Sequence, residues 1–149
     1  MFSKILVPTD GSKTAQGAAK YAVRFAKQVG ASLTVLSVID TRFLEIRSIP
    51  SAASPTRLTE PVENYLRQAA ESYTGEIEKL CKKNNVRTKT IIKSGHPAEE
   101  IIKEAEKSKV DLIVMGSHGR SALKAAVLGS VTFGVIHKDT KIPVLVVRK

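Results

Sequence analysis

The sequence has no tryptophan, one cysteine and few aromatic residues, 3 tyrosines and 4 phenylalanines in 149 positions. A single thiol, Cys81, excludes an intramolecular disulfide and a cysteine-based zinc cluster. No apolar run approaches the roughly 18 residues that a membrane span needs. The first positions reach a charge at Lys4, too early for a secretory leader. These absences point to the cytoplasm. Two common phosphate-binding fingerprints are also missing. Neither Gly-x-x-x-x-Gly-Lys-Ser/Thr nor Gly-x-Gly-x-x-Gly occurs.

Acids are in the minority, 14 against 24 basic residues, for a formal charge of +10. Such an excess suits a polyanionic partner. Along the chain the basic residues are scattered and acids accompany many of them, as at Glu99, Glu100, Lys103 and Glu104. No aromatics interleave with the charges to make a stacking platform. The composition therefore disfavours a nucleic-acid partner and suits a polyanionic small molecule.

The length suits one compact domain over residues 1–149, with no linker and no internal repeat. Residues 4–7 form a short β-rich run that ends in the turn cluster Pro8-Thr9-Asp10-Gly11-Ser12. Ala15, Ala18, Ala19, Ala22, Ala26 and Val29 then recur at helical spacing. Ser12 or Thr14 would cap that helix, and Gly30 sits where a C-terminal glycine belongs. Residues 32–39 read as a second strand. Residues 40–60 hold two prolines and no clean period, and read as a mobile loop with at most a short helical piece. Pro61 suits the first turn of a helix carrying Val62, Tyr65, Leu66, Ala69, Tyr73, Ile77, Leu80 and Cys81 on one face, ending near Asn84 and Asn85. A third strand is predicted over 86–93. A turn at Gly95-His96-Pro97 feeds a helix with Ala98, Ile101, Ile102 and Ala105 inward. Residues 110–115 are apolar except for Asp111, the mark of a central parallel strand. A helix over 130–137 and a strand over 143–147 complete the chain. Such alternation predicts a parallel α/β sheet with right-handed crossovers and helices on both faces.

The stretch richest in chemistry is Gly116-Ser117-His118-Gly119, followed after nine residues by Gly129-Ser130. Glycines let a backbone approach a ligand, and a helix start favours an anion, above all a phosphate chain. Ser130 could donate to that phosphate or cap the helix. Ligands of open α/β sheets bind beyond the carboxyl ends of the strands, where the winding reverses. If the first and fourth strands are neighbours, Asp10 and Gly116 flank one crevice.

Gly116-x-x-Gly119, nine residues, then Gly129-Ser130 resembles the ATP-binding signature of the universal stress protein family. Residues 5–12, the Gly95-His96-Pro97 turn and the last strand, 143–147, resemble that family's other motifs. The resemblance implies a flavodoxin-like, adenine-nucleotide α-hydrolase-like three-layer sandwich with strand order 3-2-1-4-5. It implies ATP as ligand, with AMP or ADP able to occupy the same loop, and Mg²⁺ or Mn²⁺ accompanying the nucleotide. By position, Asp10 would sit near the ribose and phosphates, or reach them through the metal, with Pro8 and Thr9 on the same wall. Val38 would hold the adenine through its backbone. Met115 and Gly116 would pack near the ribose, and Gly119, Gly129, Ser130 and Val131 around the phosphates. Ser117 and His118 lie inside the loop, and Arg120 and Lys124 are its nearest cations. Read without the resemblance, Asp10 could simply form the turn and Val38 simply fill the core. His96 would shape a turn, His137 lie on a helix surface and Cys81 pack. A homodimer through residues 143–147 is implied as well.

No paired carboxylates stand at a metal-binding spacing, and no acid is placed to activate a water. The expected function is therefore a nucleotide-dependent signalling or stress-response module. The alternative is a slow ATPase, or a protein that phosphorylates itself on Ser117, Ser121, Ser130 or Thr132.

Overall fold

In the computed structural model, residues 2–42, 55–118 and 128–148 are described. Gly119, Arg120, Ser121 and Lys124, and most of the segment 40–60, lie outside them. In chain order the elements are β1 (Lys4–Pro8), α1 (Lys13–Val29), β2 (Ser32–Asp40), α2 (Pro55–Lys83), β3 (Thr88–Gly95), α3 (Pro97–Lys107), β4 (Leu112–Gly116), α4 (Ser130–Ile136) and β5 (Val144–Val147). All strand pairs are parallel, in the order β3-β2-β1-β4-β5. The winding thus reverses between β1 and β4, as the resemblance implied.

Successive strand side chains point to opposite faces, so the sheet feeds two cores. Ile5, Val7, Leu33, Val35, Leu112 and Val114 meet α1 and α2 on one face. Leu6, Leu36, Ile113 and Met115 meet α3 and α4 on the other. Ile5, Leu6 and Val7 are completely buried, which is why the first strand reads as an unbroken apolar run. The buried alanines of α1 let it lie close to the sheet. Ser12 caps that helix by accepting from the Ala15 N–H at 3.2 Å, and Gly30 ends it at φ 75°, a conformation costly for any residue with a Cβ.

Several boundaries differ from expectation, and three of them have a plain physical cause. α2 begins at Pro55, so Pro61 lies inside the helix instead of opening it. The proline forgoes one bond near the helix start, while Ala70, Ile77 and Cys81 anchor the turns beyond it in the core. On the same helix, Tyr65 is 71% exposed and stands off the buried face it was expected to join. β3 starts two residues late because the turn that closes α2 takes up the residues after Lys83. Asn85 adopts φ 57° and the Val86 N–H closes onto the Cys81 carbonyl at 2.9 Å. β4 starts after Asp111 because that side chain accepts from the Ser3 N–H at 2.9 Å and the Lys4 N–H at 3.3 Å, tying the two strand starts together.

One buried charge locks α3 to β3. Glu104 is 3% exposed, lies 2.8 Å from Lys93 Nζ and also accepts from the Ser108 hydroxyl. Burial acts to raise its carboxyl pKa, but the hydrogen bonds from Lys93 and Ser108 outweigh it and hold the group below the usual range. A depressed folded pKa adds stability above the unfolded value of about 4.3 and loses it as pH falls through the folded value. Glu104→Gln is expected to lower stability by about 1–3 kcal/mol at neutral pH. The deficit should shrink in thermal melts taken progressively below about pH 4. A deficit independent of pH would contradict this assignment.

Candidate functional site

The carboxyl ends of β1, β2 and β4 open into a cavity of about 520 Å³. That volume is in the range of small-molecule sites. Pro8, Thr9 and Asp10 form the wall from β1, Val38 and Asp40 that from β2, and Met115, Gly116 and His118 that from β4. The start of α4 contributes Gly129, Ser130, Val131 and Thr132. Leu66, Ala69 and Tyr73 of α2 and Pro97 and Ile101 of α3 supply the apolar sides.

Most of the residues singled out in the sequence therefore face one space. Ser117 does not line it. It is 5% exposed, and its hydroxyl lies 2.9 Å from His118 Nδ1. Asp10 both forms the turn and borders the cavity. Its Oδ1 accepts from the Ser12 N–H at 2.9 Å.

The glycine segment is held from several sides. A Cβ on Gly116 would lie 2.9 Å from the backbone carbon and oxygen of Thr14, so the first turn of α1 presses directly on it. The Thr14 hydroxyl donates to the His118 carbonyl. The Thr132 hydroxyl donates to the Gly116 carbonyl at 2.8 Å, and the Gly129 N–H donates to the Ser117 carbonyl at 2.6 Å. These bonds bring the two halves of the signature together across the segment between them. They also engage two of the hydroxyls considered for phosphorylation. Ser117 and Thr132 are buried, whereas Ser130 is exposed and borders the cavity.

At the rim, Arg42 grips Asp40 through Nε at 3.0 Å and Nη2 at 2.8 Å. The Arg42 hydrogen bond holds the Asp40 carboxyl below its usual range against the opposing effect of partial burial. Among the described residues no group of three or more His, Cys, Asp or Glu side chains could hold a metal by itself. Asp10 alone fits Mg²⁺ in the way that ion is usually bound, by one carboxylate plus ligand phosphates.

β2 supplies a further polar feature. The Leu36 carbonyl accepts from the Thr9 N–H at 2.8 Å, so the Leu36 backbone groups point toward β1. Backbone direction alternates along a strand, so the N–H and C=O of Val38 point to the same side. There β1 has already ended, its last register pair being Pro8 with Leu36. Val38 thus turns a donor and an acceptor toward the cavity that it borders.

Sequence reasoning missed the walls from α2 and α3, and Asp40. Helical spacing marked Leu66, Ala69, Tyr73 and Ile101 as inward-facing but carried no sign that they face a cavity. Tyr73 also lies 3.2 Å from the Ser37 hydroxyl, hydroxyl to hydroxyl. Among the described residues, His96, His137 and Cys81 do not line the cavity. His96 stands at the N-terminus of α3 without a side-chain cap bond, and His137 ends α4 stacked on Phe133 at 3.9 Å. Cys81 is fully buried in the core, where burial pushes its thiol pKa up.

Comparison with known proteins agrees with this architecture. The family model described as the universal stress protein family matches residues 1–148. Universal stress protein MJ0577 of Methanocaldococcus jannaschii is 41% identical, covering 100% of this chain and 96% of its own length. The solved structure of MJ0577 matches at a TM-score of 0.86, over 100% of this chain and 97% of that one. Universal stress protein UspA from Lactobacillus plantarum matches at 0.86 with 27% identity, over 99% and 98% of the two chains. A universal stress protein solved in complex with cAMP matches at 0.65 with 23% identity, over 99% and 97%, a likeness of fold. Among the described residues, no helix is long and apolar enough to cross a membrane. The match over nearly the whole length, with relatives of the same description on both counts, means that the chain belongs to the universal stress protein family.

Proposed function

We propose that this chain binds an adenine nucleotide, ATP foremost, in the cavity at the ends of β1, β2 and β4, and acts as a nucleotide-dependent signalling or stress-response module. The observation that carries the reading is the backbone of Val38. Its outward N–H and C=O match the acceptor and donor on the six-membered edge of adenine, and invert against guanine. From there Asp10, then Met115 and Gly116, then Gly129, Ser130 and Val131 follow across the strand ends, the order that base, ribose and phosphates require. Gly119 and Arg120 would complete the phosphate end.

Mg²⁺ would be held by Asp10 with the phosphates, and would neutralise their charge. The chain's own residues bind and orient. Thr9 and Asp10 shape the turn at the ribose, and the apolar sides from α2 and α3 keep water from the base. No carboxylate pair faces the phosphate end among the described residues, which favours holding the nucleotide over cleaving it. Self-phosphorylation, the second reading, narrows to Ser130 among the described hydroxyls. A buried lone thiol accords with the cytoplasm as its compartment.

Calorimetry with ATP, ADP, AMP and GTP in the presence of Mg²⁺ tests the site. ATP is expected to bind with a Kd of order 10 μM, about −7 kcal/mol, and GTP at least about tenfold more weakly. Equal affinity for ATP and GTP would remove the Val38 argument. Absence of heat with all four would remove the site.

A further inference from the structure

The basic residues look scattered along the sequence, but the fold sorts them. Residues 1–39 and 112–149 hold 11 of the 24 basic residues and only Asp10 and Asp139 of the acids, +9 of the formal +10. These segments build β1, α1, β2 up to its last residue Asp40, β4, α4 and β5. Within them, α1 carries Lys13, Lys20, Arg24 and Lys27 and no acid at all. All four are exposed, while the opposite side of the helix, Ala19, Ala22, Val23 and Ala26, is buried in the core. At 100° per residue the four lie within roughly 60° of one another, along about 21 Å of helix axis. Among the described residues none of the four takes part in an ion pair. The acids of the chain sit mostly on α2 and α3, of which α2 packs beside α1 and α3 lies on the opposite face of the sheet.

We propose that the outer face of α1 binds duplex nucleic acid through its phosphates, without reading sequence. A duplex carries one negative charge per about 1.7 Å of axis, so a straight row of cations on a rigid helix meets a dense, regular row of anions. The scarcity of aromatics disfavours single strands, whose bases need stacking partners, and does not weigh against a duplex. Insertion into a lipid surface would need an apolar helix face turned outward, and that face of α1 is spent on the core. The surface is separate from the nucleotide cavity, and the inference does not depend on that reading.

The test is fluorescence anisotropy of a mixed-sequence 30-base-pair DNA with the full chain between about 50 and 200 mM salt. Four phosphate contacts give a slope of log affinity on log salt of about −3.6, roughly a 150-fold loss over that range. Lys20→Gln/Arg24→Gln/Lys27→Gln is expected to bring the slope to about −1 with the melting temperature and ATP binding unchanged. The control, Lys79→Gln/Lys82→Gln/Lys83→Gln, removes the same charge from α2 and should leave the slope near the parent value. No duplex binding at 50 mM salt would overturn the proposal. So would equal losses in both triple variants, which would assign the effect to net charge. Binding to anionic phosphatidylserine vesicles or to polyglutamate with none to DNA would overturn it as well.

Discussion

Gly129→Leu is expected to weaken ATP binding by at least about 100-fold, and Gly116→Ala to lower the stability of the fold. The two glycines belong to one signature but hold their places for different reasons. Gly116 has no room. Its added Cβ would meet Thr14 backbone at 2.9 Å, and backbone cannot swing aside as a long side chain can. Overpacking of this kind costs about 1–3 kcal/mol, a fall of some 3–10 °C in melting temperature for a chain of this size. The shift would also reach the Thr14 bond to the His118 carbonyl, and with it the wall that β4 gives the cavity. Gly129 is in ordinary extended backbone, φ −70° and ψ 161°, open to any residue. Nothing in its dihedrals demands glycine, and it borders the cavity. On the proposed reading, the phosphates come close to it. Calorimetry with ATP and a thermal melt on both variants separate the two roles. Near-parent ATP affinity in folded Gly129→Leu would refute the phosphate-end assignment. Gly129→Ala, which adds one carbon, guards against a leucine variant that does not fold.

The same contrast explains what could be read in advance. Strand and helix identity was legible because burial writes its period into the residues. The apolar run at Ile5, Leu6 and Val7 and the alanine spacing of α1 could come from little else. The turn at Asp10 and the cap at Ser12 were legible from residue type. Boundaries were less so, because tertiary bonds set them. Asp111 and Val86 carry strand-like neighbours yet spend their polar groups on β1 and on the end of α2. Pro61 was read as a helix start because a proline usually belongs there, whereas core contacts farther along carry the helix past it. In the site, residues with a short-range signal were found, Asp10 and the glycines among them. The orientation of the Val38 backbone was invisible to residue type, since it depends on where β1 stops. The apolar cavity wall was hidden for a related reason. Spacing reports that Leu66, Tyr73 and Ile101 face inward and not whether protein or a ligand will face them. The basic row on α1 went unread because its members are separated by up to seven positions and meet only on the helix.

If two copies pair along the last strand, Val146→Lys is expected to leave a monomer of 16.1 kDa in light scattering where the parent is a dimer. The family resemblance implies a homodimer through the last strand, and the two sheet edges differ in the way that choice requires. β3 at one edge runs eight residues and carries charge along it, with exposed Lys89 and Lys93 paired to Glu104, after exposed Arg87. Lysines along an edge are a common guard against pairing with another chain. β5 at the other edge is Val144, Leu145, Val146 and Val147, each half-buried, with no charge until Arg148. It pairs with β4 on one side, and its other side is the sheet edge. Such an edge would suit a second copy, which presents the same strand and the same four side chains. A lysine at position 146 would set like charges against each other across a two-fold seam and remove the apolar contact at its middle, raising the dimer dissociation constant by about 100-fold or more. Val146 is already partly exposed within the protomer, so the melting temperature of the monomer should change little. A dimer that survives the substitution at low micromolar concentration would place the interface elsewhere. In that case the apolar edge would have to be covered by something other than its own copy.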